Sequence, residues 1–273
     1  MPADAADLTV RQVMFALPFA AAISIVSHRL RFLTAGGAIT QFALGWLLLG
    51  IGGWAWTIPI LLFFVSSSLL SITGKKRRGD VDSIFQKSSK RDSVQVLANG
   101  GVAASLLIVW FLDGGHCWYT TSLGSIAAVT ADTWGTEIGI WSGSAPRLLL
   151  SFRKVERGRS GGVTALGLLA SVLGAALIGL SGLPWSSTAQ SALVLVAPMM
   201  GGIAGSLIDS VLGESLQSQF RCRVCSIQTE QTLHCSSKTV KIQGISGVDN
   251  DVVNLAASLV GAAVSYYVQT FYP

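Results

Sequence analysis

Charge is scarce in this chain. Only 12% of its 273 residues are Asp, Glu, Lys or Arg, about half the roughly 25% usual in a soluble domain, which argues against an ordinary soluble enzyme. With three histidines, all near helix ends or in loops, no Ser-His-Asp arrangement can be defended. A Walker phosphate loop is also missing, since the glycine-rich stretch "SGGVTALG" after Arg159 lacks the lysine that such a loop needs. No soluble repeat of fixed period occurs, and no small-residue cleavage site follows a basic leader, so the first apolar segment reads as a span. What is abundant is apolar: 51% of residues, with a mean hydropathy of +0.57, the reverse of a disordered composition.

Eight apolar stretches are long enough to cross ~30 Å of hydrocarbon. They cover about 12–28, 33–53, 54–73, 94–112, 118–141, 162–180, 190–213 and 251–270. The second and third meet at Gly52-Gly53, and Pro18 sits inside the first, so the sequence predicts a polytopic all-α membrane bundle of seven or eight spans, residues 1–273 forming one integral membrane domain. Net charge is +5, but its placement points away from nucleic acid. Of 19 Lys and Arg, 18 fall in connections on one side under the eight-span model and only Arg11 on the other. Those connections, chiefly about 74–93, 142–161 and 214–250, are therefore expected in the cytoplasm. With no transit peptide evident, a plasma membrane is expected if the source is bacterial, an organellar one if it is a plant. The basic loops themselves serve orientation and headgroup contact, or bind phosphate.

Polar groups inside spans are costly, ~2.5 kcal/mol or more at mid-helix for a charge, and so point to function. The fifth span carries "TADTWGTEIG", with Asp132 and Glu137. Five residues separate them by about 140° around a regular helix. To share one ion they need a break, for which Gly135 and Gly139 are the candidates. The seventh span puts Gly201, Gly205, Asp209 and Gly213 four residues apart, a packing stripe of small residues that also carries one carboxylate. Arg91, Gln95 and Asn99 form a polar line at i, i+4 and i+8 into the fourth span. The eighth opens with Asp249, Asn250, Asp251 and Asn254, which suit a cavity or a helix cap. Acids for a metal, bases for phosphates and a bilayer for an apolar tail together describe phosphoryl or nucleotidyl transfer onto a lipid.

One basic loop holds Cys222, Cys225, His234 and Cys235. Thiolates and imidazole are zinc ligands, yet adjacent His234 and Cys235 are not expected to reach one tetrahedral ion easily. The alternatives are a loop of reduced thiols and a redox role, while a cytoplasmic position disfavours a stable disulfide. Cys117 stands alone on the other side.

The segments "QVLANGG", "ADTWGTEIG", the glycines of "GRSGGVTALG", "DSVLGESLQ" with its following cysteines, and "DNDVVNL" resemble the signature stretches of the family called domain of unknown function 92, the family of transmembrane protein 19 and the plant phytyl-phosphate kinase. The likeness runs in order from about Lys87 to Leu255. It implies a membrane kinase that converts phytyl or a related isoprenyl monophosphate to the diphosphate, with CTP as donor and Mg²⁺ as cofactor. The surroundings of Asp132 and Asp209 also resemble those in membrane CTP-dependent polyprenol kinases. On that resemblance Asp132, Glu137 and Asp209 serve Mg²⁺ and phosphate chemistry. Arg91, Lys154 and Arg157 bind phosphates, and Gln95, Asn99, Asn250 and Asn254 line the nucleotide or substrate site. Two other classes stay open: a transporter or ion-coupled carrier, for which intramembrane acids are equally natural, and an assembly protein without catalysis. A carrier needs its acids reachable from both sides, whereas these cluster toward the basic loops.

Overall fold

The computed structural model describes residues 10–78, 90–115, 117–188 and 190–271, the side chains of 75–78 excepted. The basic side chains expected of Lys75, Lys76, Arg77, Arg78 and Lys87 thus lie outside what is described. Seven helices make up the described bundle: α1 (Val10–Arg29), α2 (Ala35–Arg78), α3 (Ser93–Asp113), α4 (Cys117–Gly139), α5 (Ala165–Gly182), α6 (Ser191–Ser215) and α7 (Asn250–Phe271). All but α4 contain an apolar run long enough to span a bilayer; α4 is too polar to pass by composition, yet it lies at the centre with almost its whole first half buried.

The apolar part of α2, Ala35–Gly74, is 40 residues long, or about 60 Å of helix, twice the hydrocarbon thickness. It crosses once and folds back. The turn is at Gly53, whose φ of 65° and ψ of −159° belong to a region that only glycine occupies freely. The two halves run antiparallel. Before the turn, Leu49 and Gly50 accept from Gln12 Nε2 at 3.0 and 3.2 Å, and just after it Ala55 O accepts from Tyr119 Oη at 3.2 Å. At the far end, Phe32 and Phe64 have ring centroids 6.3 Å apart. Eight helical segments result among the described residues, matching the upper of the two span counts read from the sequence, with the division at Gly52-Gly53 in the right place.

The break expected near Gly135 is not there, and α4 is helical through Gly139. Those glycines serve close packing. A Cβ on Gly135 would lie 2.4 Å from Ser171 Oγ, and one on Gly167 would lie 2.8 Å from Gly135 O, so α4 and α5 meet backbone to backbone. The stripe on α6 does the same work: a Cβ on Gly201 would fall 2.3 Å from Gly261 O, and one on Gly205 would fall 2.4 Å from Ala128 Cβ. Toward the end opposite the basic loops, the core is closed by Trp56, Leu107, Trp110, Tyr119 and Leu123, with the Trp56 ring tilted against Trp110 and edge-on to Tyr119, centroids 5.6 and 5.5 Å apart.

Small strands appear in the connections, which the helix-only expectation did not contain. Strands β1 (Arg147–Leu148) and β2 (Gly162–Val163) pair between α4 and α5. Between α6 and α7 lie β3 (Gln219–Arg221), β4 (Gln228–Thr229), β5 (Leu233–His234), β6 (Ser237–Lys238) and β7 (Val240–Gln243). They form a three-stranded antiparallel sheet, β4-β3-β7, and a separate β5-β6 ladder. Both connections fold over the same end of the bundle.

Candidate active site

At that end a cavity of about 510 Å³ opens between α3, α4, α6 and α7 beneath the two connections. Of the residues singled out from the sequence for catalysis or substrate binding, Asp132, Glu137, Asp209, Arg91, Gln95, Asn99, Arg157, Asn250 and Asn254 all line it. Lys154 does not; it is exposed on the hairpin, bridging to Arg147.

The acids divide into two groups. The carboxyl groups of Asp132 on α4 and Asp209 on α6 face each other within interacting distance, brought together by the glycine-lined approach of these helices. Asp209 Oδ2 is buried with no hydrogen-bond partner among the described residues. Two carboxylates so placed either share a proton or hold a cation between them. Glu137, about 140° further round α4, turns instead to α2, accepting from Ser71 Oγ at 2.7 Å. With α4 unbroken, Asp132's carboxyl partner is Asp209, and Glu137 takes a place across the cavity.

The bases are held by their own neighbours. Arg91 precedes α3 and is fixed by its backbone, with Arg91 N donating to Phe32 O at 2.9 Å and Thr34 N donating to Arg91 O at 3.0 Å. Its guanidinium donates to Ser68 Oγ at 2.9 Å and lies over Phe63 and Phe64, 5.6 and 5.5 Å from the ring centroids. Burial pushes its pKa down to about 10, the Glu137 charge working the other way, so it is cationic at neutral pH. Asp92 beside it caps α3, accepting from Gln95 N at 3.0 Å. Gln95 Oε1 is buried with no hydrogen-bond partner among the described residues, a polar atom suited to a ligand or to water.

Sequence reasoning passed over several members of the site. The weak "SGGVTALG" signal is one wall of the cavity: Arg157, Arg159, Ser160, Gly161 and Gly162 line it, ending at Thr164, which caps α5 by accepting from Gly167 N at 3.0 Å. Gly161 has a φ of 77°, and a Cβ there would lie 2.6 Å from Ser210 O. A glycine-rich turn leading into a helix N-terminus is an anion-binding arrangement. Arg157 Nη2 donates to Ser142 O at 2.7 Å, and Arg159 is held by Gln228 and Gln243 at 3.1 and 3.2 Å. Glu230, between β4 and β5, is a further acid on the rim. It is buried and accepts from Ser160 Oγ at 2.6 Å and Gln217 Nε2 at 2.9 Å. No periodicity marks it, because the loop that carries it is not a span. At α7, Asp249 Oδ1 accepts from Asp251 N and Val252 N, both at 3.1 Å, which is the capping role.

An apolar crevice adjoins the cavity. It lies between α1, both halves of α2 and α3, is walled by Phe19, Leu48, Ile60, Phe63 and Phe64, and shares Arg91 and Asn99 with the polar cavity.

Gathered acids and cations at one end of a bundle of apolar helices define the class: an integral multi-pass membrane protein with a buried polar site. The chain belongs to the family described as integral membrane protein DUF92, whose model matches residues 18–262. It is 32% identical over 275 residues to Protein PGR of Arabidopsis thaliana, covering 91% of this chain and 93% of that protein. An uncharacterized membrane protein of Methanocaldococcus jannaschii is 35% identical over 194 residues, 70% of this chain and 77% of its own length. No solved structure matches.

Proposed function

We propose that this protein is a prenyl-phosphate kinase, transferring the γ-phosphoryl group of a nucleoside triphosphate, CTP by expectation, to phytyl or a related isoprenyl monophosphate. The observation that carries this reading is the junction at Arg91 and Asn99, where a cavity lined with acids and cations meets an apolar crevice of the bundle. An acceptor with a phosphate head and an isoprenoid tail has that same division.

In this reading the acceptor phosphate lies by Arg91 with its tail toward Phe63 and Phe64. The triphosphate lies under the Arg157–Gly162 turn and the α5 N-terminus, where backbone N–H groups and Arg159 neutralise it. An oxygen of the acceptor phosphate attacks the γ-phosphorus, the bond from that phosphorus to the β–γ bridging oxygen breaks, and the nucleoside diphosphate leaves. The acceptor is already anionic, so no strong general base is needed, and catalysis is positioning with charge neutralisation. The Asp132–Asp209 pair, hard oxygen donors with one buried oxygen unpartnered, fits Mg²⁺, which when bound supplies charge neutralisation on the phosphates. Glu230 and Ser160 close the site against water from the basic side.

The Trp56, Trp110 and Tyr119 cluster, closing the other end, favours this reading over a carrier, whose site must open to both faces. The test is product formation. Purified protein in liposomes with Mg²⁺ and CTP should convert phytyl monophosphate to the diphosphate, and prefer it to a monophosphate whose alkyl chain is too short to fill the crevice. No diphosphate with CTP, ATP, GTP or UTP, from protein shown to be folded, would overturn the reading.

A further inference from the structure

Away from the cavity, the loop between α6 and α7 gathers four side chains that the reaction does not use. The Sγ atoms of Cys222, Cys225 and Cys235 and a ring nitrogen of His234 all lie within 4.8 Å of one another. The separations are 3.8 Å between Cys225 Sγ and Cys235 Sγ, 3.4 Å from Cys225 Sγ to His234 Nδ1, and 3.3 Å from Cys235 Sγ to His234 Nδ1. A tetrahedral ion with Zn–S of about 2.3 Å and Zn–N of about 2.0–2.1 Å has S···S edges of ~3.8 Å and S···N edges of ~3.6 Å. A disulfide would need ~2.05 Å.

The difficulty of bringing neighbours His234 and Cys235 to one ion is met by the backbone. Cys235 and Ser236 have φ of 50° and 56°, and this left-handed turn swings the Cys235 thiol back beside the His234 ring. Such conformations cost non-glycine residues about 1–3 kcal/mol each, and Ser226, after Cys225, is a third, with φ 61°. The first pair forms a tight knuckle in which Val224 N donates to Cys222 Sγ at 3.4 Å, the outer contact that favours a thiolate ligand.

We propose that Cys222, Cys225, His234 and Cys235 bind one structural zinc ion, and that this ion fastens the loop carrying Glu230 over the cavity. Three soft sulfurs and an imidazole in tetrahedral array select zinc over magnesium or calcium. Four protein ligands leave no open position, so the role is structural. Between the two ligand pairs the chain runs through β4 and Glu230, and its contacts with Ser160 and Gln217 tie the loop to the rim.

The metal is measured directly, whatever reaction the cavity performs. Protein purified in detergent without added zinc, then passed over a chelating resin, should hold about one zinc per chain by plasma mass spectrometry. The double variant Cys225→Ser with Cys235→Ser should lose it at least tenfold, whereas His234→Cys, which exchanges the imidazole for a fourth thiolate, should keep it. Cobalt exchange into the wild type should give the visible bands of tetrahedral thiolate coordination. Zinc equally abundant in the double variant, or wild-type protein that neither holds zinc nor gives the cobalt bands, would overturn the proposal. Loss of the zinc should also expose the loop to proteolysis near Glu230, a readout independent of kinase activity.

Discussion

Asp132 and Asp209 gain nothing from apolar packing, and their value is what they hold together. Replacing either by Asn keeps the volume and removes the charge, so turnover should fall roughly 10²–10³-fold with the helical spectrum unchanged, as for loss of one preorganised electrostatic group. The double replacement should be little worse than either single one, since the two act as a unit. Steady-state kinetics on all three variants checks this. Full activity in either single variant would remove that residue from the site. Arg91 makes a different prediction. Its planar guanidinium lies over two phenylalanines and donates to Ser68, geometry an ammonium does not reproduce, so Arg91→Lys should raise KM for the lipid phosphate about tenfold and alter kcat less. Nearly all of these residues were legible as polar groups in apolar spans. Glu230 and Arg159 were not, because in a polar connection an acid or a base has no contrast with its surroundings.

At the scale of the element, glycine decides where helices turn and where they touch. Gly53→Ala puts a Cβ on a backbone conformation that side chains avoid, which should cost about 1–3 kcal/mol and lower the thermal midpoint in detergent. Gly205→Leu meets Ala128 Cβ and Ala257 O, and should separate α6 from α4 and move Asp209 away from Asp132. Its loss of activity should exceed its loss of stability. The run of apolar residues revealed the α2 hairpin, down to the dipeptide at which it turns. The Gly135 and Gly139 pair was a candidate for a break that the helix does not make, since sequence alone does not distinguish a glycine that bends a helix from one that admits a neighbour. The structure settles it by the presence of Ser171 and Gly167 across the gap.

For the whole molecule, the helices put Val10 and Phe271, the ends of the described chain, at one end of the bundle and the cavity at the other. The positive-inside rule makes the cavity end, which carries the described basic loops, the expected cytoplasmic one, and labelling tests that expectation. In a Cys117→Ala background, a membrane-impermeant maleimide should label Ser187→Cys in intact cells, because residue 187 is exposed at the end opposite the cavity. Ser144→Cys, exposed beside the cavity, should add label only after permeabilisation. The opposite pattern would invert the protein, place the polar cavity outside the cell and contradict a reaction that draws on a nucleoside triphosphate. That the connections 142–161 and 214–250 share one end of the bundle was readable from the order of the apolar spans; the small sheets were not, because two- to four-residue strands leave no periodic trace, and the closeness of His234 to Cys235 depends on backbone angles rather than on spacing.

In the proposed reaction one buried pair of aspartates, at the meeting of a cavity of acids and cations and an apolar crevice, supports phosphoryl transfer between a nucleotide and a lipid phosphate. The most direct test is transfer of labelled γ-phosphate from CTP, with ATP, GTP and UTP in parallel, to phytyl and geranylgeranyl monophosphate in liposomes, using wild type, Asp132→Asn and Asp209→Asn. Wild type should yield labelled diphosphate, and either variant nearly none. Equal product from all three, or no product from folded wild type with any donor, would contradict it.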